Sequence, residues 1–208
     1  MEDQQLSLLP DILDAANSRH TNDAPNGPTY ILPFVNASYR AKVRVVDFEP
    51  HQLEDFAIQA ETDDDASEFS MDLTWESSSL KWEWSFALQL EEVRASNDPE
   101  PARLWVNVGH TEAQFLLGNS IEEPSNLRTD PALLNKLREK LYILWGDLEE
   151  KKQQAEEDQT AKRQMLVEPS NKPFDCCIQE YGVLRNGCDP ATVDDWKRQY
   201  MLHGVTIL

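Results

Sequence analysis

Basic residues are scarce in this chain. Nineteen Lys and Arg stand against 38 Asp and Glu, a formal net charge of −19 over 208 residues. That balance favours solubility and repels nucleic acid at long range. Phosphate binding draws on a surplus of cations that the chain as a whole lacks. Long apolar runs are missing too: none approaches the ~20 residues of a membrane span. The start, MEDQQLSLLPDI, is acidic and without the basic region that opens a secretory signal. Three cysteines, with Cys176 and Cys177 adjacent and Cys188 apart, make no disulfide framework, so a reducing compartment is expected. No C-x-x-C occurs, and His20, His51, His110 and His203 are scattered. Tetrahedral zinc needs four ligands at suitable spacing, so neither metal nor cofactor is expected. There is no Ser–His–Asp order and no glycine-rich phosphate loop, which argues against an enzyme.

What is present is a strong period of two. In Leu80–Val93, LKWEWSFALQLEEV, the residues Trp82, Trp84, Phe86, Leu88 and Leu90 occupy alternate positions, with Lys81, Glu83, Ser85, Gln89 and Glu91 between them. Alternation puts one set on each face of a strand, and tryptophan and phenylalanine suit a pleated surface. This stretch predicts one long half-buried strand. Tyr39–Phe48 predicts another, with Tyr39, Ala41, Val43 and Val45 on one face and Arg40, Lys42 and Arg44 on the other. Arg103–Val108, Phe174–Val183 and Tyr200–Leu208 supply three more.

Between the strands, Glu49–Glu76 carries ten acidic residues and no Lys or Arg, and Asp63-Asp64-Asp65 reads as a solvated loop. Leu53, Phe56 and Ile58 offer a short strand within it. His110–Leu117 predicts a helix that packs Phe115 and Leu116 under the sheet. Asp130-Pro131 is a helix start, with Asp as N-cap and Pro at the first position. Leu134, Leu137, Leu141, Leu144, Trp145 and Leu148 then recur at helical steps. Past Gly146 the sequence turns polar and has no stripe to bury, so it should project or fray. The order predicts a mainly β protein with helices: a β-barrel of the five-stranded OB-fold type, with a long amphipathic helix between strands 3 and 4. Residues 1–33 read as a mostly disordered leader with one helical turn. Residues 34–208 read as a single domain, with an acidic loop at 60–79 and a charged helical extension at 149–168.

Several blocks then resemble one family. VRVVDFEPHQLEDF (43–56), WEWSFALQLEE (82–92), LYILWGDLEEK (141–151), PFDCCIQEYGV (173–183) and YMLHGVTI (200–207) resemble, in this order, the C-terminal region of the protection-of-telomeres proteins, fungal members in particular. The resemblance runs from about Tyr30 to Leu208. It implies a C-terminal OB-fold that docks the bridging subunit of shelterin. The single-stranded telomeric DNA would be held through the complex or by N-terminal OB-folds that this chain lacks. It further implies a nuclear, telomeric location and no membrane. Animal members carry zinc-binding cysteine pairs here. After Phe56-Ala57-Ile58 this chain has Ala60-Glu61-Thr62-Asp63 instead.

Two site expectations follow. Docking a helical partner requires apolar anchors left uncovered by the core. The candidates are Leu133 on the flank of the helix, Trp145 at the end of its stripe and Trp196 before the last strand. Each would otherwise complete the lower cap of the barrel. The alternative is an OB-fold that itself binds single-stranded DNA, through Arg40, Lys42, Arg44, Arg103 and Trp105 on the outer parity. Its plain counterpart is that these cations pair with the protein's own carboxylates across the strands.

Overall fold

The computed structural model describes residues 5–14, 20–23, 27–60, 81–93, 101–118, 121, 123–157 and 170–206. In chain order these hold α1 (Leu9–Leu13), β1 (Thr21–Asp23), β2 (Thr29–Ile31), β3 (Ser38–Glu49), β4 (Ala57–Gln59), β5 (Trp82–Trp84) and β6 (Phe86–Glu92). They continue with β7 (Arg103–Val108), α2 (His110–Leu117), α3 (Pro131–Trp145), α4 (Leu148–Glu157), β8 (Phe174–Leu184) and β9 (Trp196–Thr206). Five strands close a barrel in the order β3-β6-β7-β9-β8. The pairs are antiparallel except β7–β9, which run parallel at Asn107↔Met201. This is the predicted OB architecture, with α2, α3 and α4 between the third and fourth barrel strands.

The period of two is clear in β3 up to Val45 and in β6, β7 and the first part of β8. Tyr39, Ala41, Val43 and Val45 are buried, as are Phe86, Leu88 and Leu90, Leu104, Val106 and Val108, and Phe174, Cys176 and Ile178. A register shift between Val45 and Asp47 resets the parity, so that Phe48 also turns inward. The organising strand departs from its reading in one respect. It is two strands, not one: β6 lies in the barrel, whereas β5 pairs with β4 in a separate ribbon. The chain bends at exposed Ser85, whose N–H donates to the Phe56 carbonyl (2.8 Å). Trp84 stays buried, while Trp82 is only partly covered. Leu80 and the acidic triplet Asp63–Asp65 lie outside the described residues.

α3 begins as predicted: the Asp130 carboxylate accepts the Leu133 N–H at 3.0 Å and Pro131 follows. It ends at Gly146, whose φ of 61° is left-handed and suits glycine. α2 corrects an expectation. It buries Ala113 and Leu117, while Phe115 is 76% exposed. The last strand starts four residues earlier than expected, so Trp196 is its first residue.

Two segments read as loose are packed. In the leader, Leu9, Ile12 and His20 are fully buried. The Leu9 N–H donates to Glu92 Oε1 (3.1 Å), and the Tyr200 hydroxyl donates to the Ile12 carbonyl (3.2 Å). Past Gly146, α4 buries Leu148, Glu149, Lys152 and Ala155. The face succeeds without an apolar stripe because its ions find partners. Lys152 Nζ donates to the Phe48 carbonyl (2.7 Å) and to Asp47 (2.5 Å) and lies 3.9 Å from the Phe48 ring centroid. The Glu149 carboxylate accepts Arg138 Nε–H at 2.9 Å. Burial still pushes the Glu149 acid up, with Arg138 opposing. The charged extension beyond residue 157 lies outside the described residues.

Candidate functional site

The basic stripe sits where parity placed it, on the outer face of β3. Register then decides what it meets. Arg44 and Arg103 are the strand partners of Glu91 on its two sides. Arg103 binds Glu91 at 2.9 Å, and Arg40 binds Asp175 at 2.7 Å. Lys42, which is exposed, is the strand partner of Asp175. Two of these cations, Arg40 and Arg103, are thus paired with the protein's own acids across the strands. Such pairs are individually weak at a surface, and they set carboxylates beside the cations that phosphate binding would draw on. Trp105, beside them on β7, is 37% exposed opposite Gln89. The same outer surface closes the barrel with a polar clasp. Asn107 Nδ2 donates to the Tyr181 hydroxyl (2.7 Å) and to Gln199 Oε1 (3.1 Å).

The expected apolar anchors divide. Leu133 and Trp145 are buried and so are not uncovered for a partner. The Trp145 ring stacks on Phe48 at 4.6 Å and meets the edge of Phe56 at 6.2 Å, while Phe56 stacks on Phe86 at 4.4 Å. The end of α3, the 3-10 turn Leu53–Asp55 that leads into Phe56, and the barrel thus share one aromatic cluster, and Trp145 completes the lower cap. Trp196 is partly exposed. Its indole N–H donates to the Pro190 carbonyl (3.0 Å), and its ring lies 5.2 Å from that of Phe34.

Several large apolar side chains not expected from the sequence stand exposed, three of them on α2 and α3. On α3, Tyr142 and Ile143 are 56% and 63% exposed, and Phe115 projects from α2, which contacts α3. A helical wheel signals the first two. In LYILW they lie off the stripe formed by Leu137, Leu141, Leu144 and Leu148. Phe115 carried no such signal, since a short helix fits either face inward.

Among the described residues, no group of three or more His, Cys, Asp or Glu side chains is placed to hold a metal. Burial pushes the Cys176 thiol far up, which leaves it unreactive. No described helix is long and apolar enough to cross a membrane.

No family model matches the chain. It is 27% identical over 171 residues to protection of telomeres protein 1 of the fission yeast Schizosaccharomyces pombe. That match covers 82% of this chain and 27% of the yeast protein, so the chain spans about a quarter of the length of this curated relative. It is also similar to a chain in the crystal structure of fission yeast Pot1 and Tpz1. There the TM-score is 0.65 and the identity 23%, over 100% of this chain and 94% of that one. The second likeness bears on the fold, and it agrees with the OB barrel. In sequence the chain resembles the protection-of-telomeres proteins over most of its length, as its short blocks indicated.

Proposed function

We propose that this chain is the protein-docking OB module of a telomere-capping protein, without catalytic activity, acting in the nucleus at chromosome ends. Its partner is the bridging subunit of shelterin, and single-stranded telomeric DNA is held elsewhere in the complex. The likeness to a structure of Pot1 and Tpz1 supports a protein partner. The observation that carries the reading is the outer strand face. Two of the cations expected to grip DNA, Arg40 and Arg103, are paired with Asp175 and Glu91. Large apolar side chains stand exposed instead at Phe115, Tyr142 and Ile143.

The test is to purify the tagged chain from its own nuclei, identify what accompanies it, and titrate that protein back. Replacing Phe115 and Ile143 together by Ala should weaken binding by ~2 kcal/mol or more, the scale of an interface anchor, with unchanged thermal unfolding. A telomeric single strand should bind weakly. Tight DNA binding with a steep salt slope, lost on replacing Trp105, would favour the DNA-binding reading instead.

A further inference from the structure

The barrel carries a carboxylate that its strand pattern does not explain. Glu180 continues the inward parity of Phe174, Cys176 and Ile178 and is fully buried. A buried charge is tolerated only when paired and hydrogen-bonded. Two of its partners come from outside the barrel strands. His20, also fully buried, places Nε2 at 2.8 and 3.0 Å from the two Glu180 oxygens. The Val35 N–H donates at 3.0 Å. From the barrel, the Tyr39 hydroxyl donates at 2.8 Å, and Arg198 Nε stands 3.5 Å away.

His20, Val35 and the residues near them form a hairpin strap. β1 pairs with β2, and the Leu32 N–H returns to the His20 carbonyl at 2.8 Å. The strap then runs beside β8, where the ring of Phe34 lies directly on Gly182 and tilts against Trp196. A methyl group on Gly182 would collide with that ring. Near the end of the strap, before β3, Asn36 takes a left-handed conformation, with φ of 50°, which asparagine tolerates better than most residues.

We propose that this strap, residues 20–23 and 27–37, is a latch that opens without unfolding the barrel. Phe34 is the built-in occupant of an aromatic slot formed by Gly182 and Trp196. Arg198 makes the opening reversible. With the strap closed, its Nε donates to the Pro33 carbonyl at 3.1 Å and only stands near Glu180. When the strap leaves, that hydrogen bond is lost and the guanidinium closes on Glu180 in place of His20. The carboxylate is therefore paired in both states. The closed state also holds a cost that opening relieves. Among the described residues, His20 Nδ1 is buried with no hydrogen-bond partner, and water satisfies it once exposed. Opening uncovers Trp196, so any ligand of the slot must displace Phe34, and its apparent affinity falls with the open fraction.

Amide hydrogen exchange on the full chain tests it. The Val35 amide and its neighbours should exchange through an opening that leaves β6 and β7 protected. Gly182→Ala should speed strap exchange by about fivefold or more, the low end of an overpacked contact, with β6 unchanged. Phe34→Ala removes the ring instead and should act in the same direction, which guards against misfolding of the first variant. Arg198→Met should lower the melting temperature of the Gly182→Ala protein more than that of the wild type. Strap amides that exchange only at the rate of β6, or strap exchange indifferent to both the Gly182 and Phe34 variants, would overturn the latch. Equal effects of Arg198→Met in the two backgrounds would remove the partner exchange.

Discussion

Trp145 and Lys152 hold the lower end of the barrel by different physics. Trp145 is buried between Phe48 and Phe56. Replacing it by Ala should cost about 3–5 kcal/mol, the range for a large aromatic in a core that relaxes only partly. Urea unfolding measures it. Lys152 lies over the same Phe48 ring and satisfies the Phe48 carbonyl. Lys152→Ala leaves that carbonyl buried without its donor and should cost about 2 kcal/mol. Lys152→Met keeps the apolar stem and should recover only part of the loss. Full recovery by Met would mean that the stem, not the ammonium, holds α4. Neither role was legible from residue type. The tryptophan was equally suited to a surface anchor, and a lysine in a charged run gives no sign that a carbonyl waits opposite.

At the level of elements, the start of α3 was legible because the signal is local. Asp130, Pro131 and the leucine steps lie within one segment, and the cap forms from the same residues. It also carries a pH dependence. The Leu133 N–H bond holds the Asp130 acid below its ordinary value of 3.8. The stabilisation is thus complete above that value and is lost as pH falls through the lower, folded one. The Leu133 amide shift should titrate with a midpoint below 3.8. Asp130→Ala should be less stable than the wild type at neutral pH and indistinguishable from it in strong acid. An amide midpoint above the ordinary value would contradict the cap. The split between β5 and β6 was not legible. Alternation continues unbroken through Ser85, and parity says which face a residue takes but not which strand it pairs with. The same limit explains Phe115, where eight residues fit two helix faces about equally well.

Over the whole molecule, a net charge of −19 implies self-repulsion in the compact state. Raising salt from about 0.02 to 0.2 M shortens the screening length to below about 10 Å. The melting temperature should rise with it. A fall would mean that pairs such as Arg103–Glu91 outweigh the net repulsion.

By itself, the sequence determined the barrel and its resemblance, because both rest on information carried along the chain: the period of two, the helix start and the order of blocks. Only the tertiary structure decided the surface. Whether Arg44 meets a phosphate or Glu91 depends on strand register. Whether Trp145 is anchor or core depends on Phe48, 97 positions earlier in number and stacked upon it in space. The polar leader became a packed strap because Glu180, from the far end of the chain, turned inward and required His20. A buried charge needs its partner wherever the chain can bring one, and that distance has no local signature.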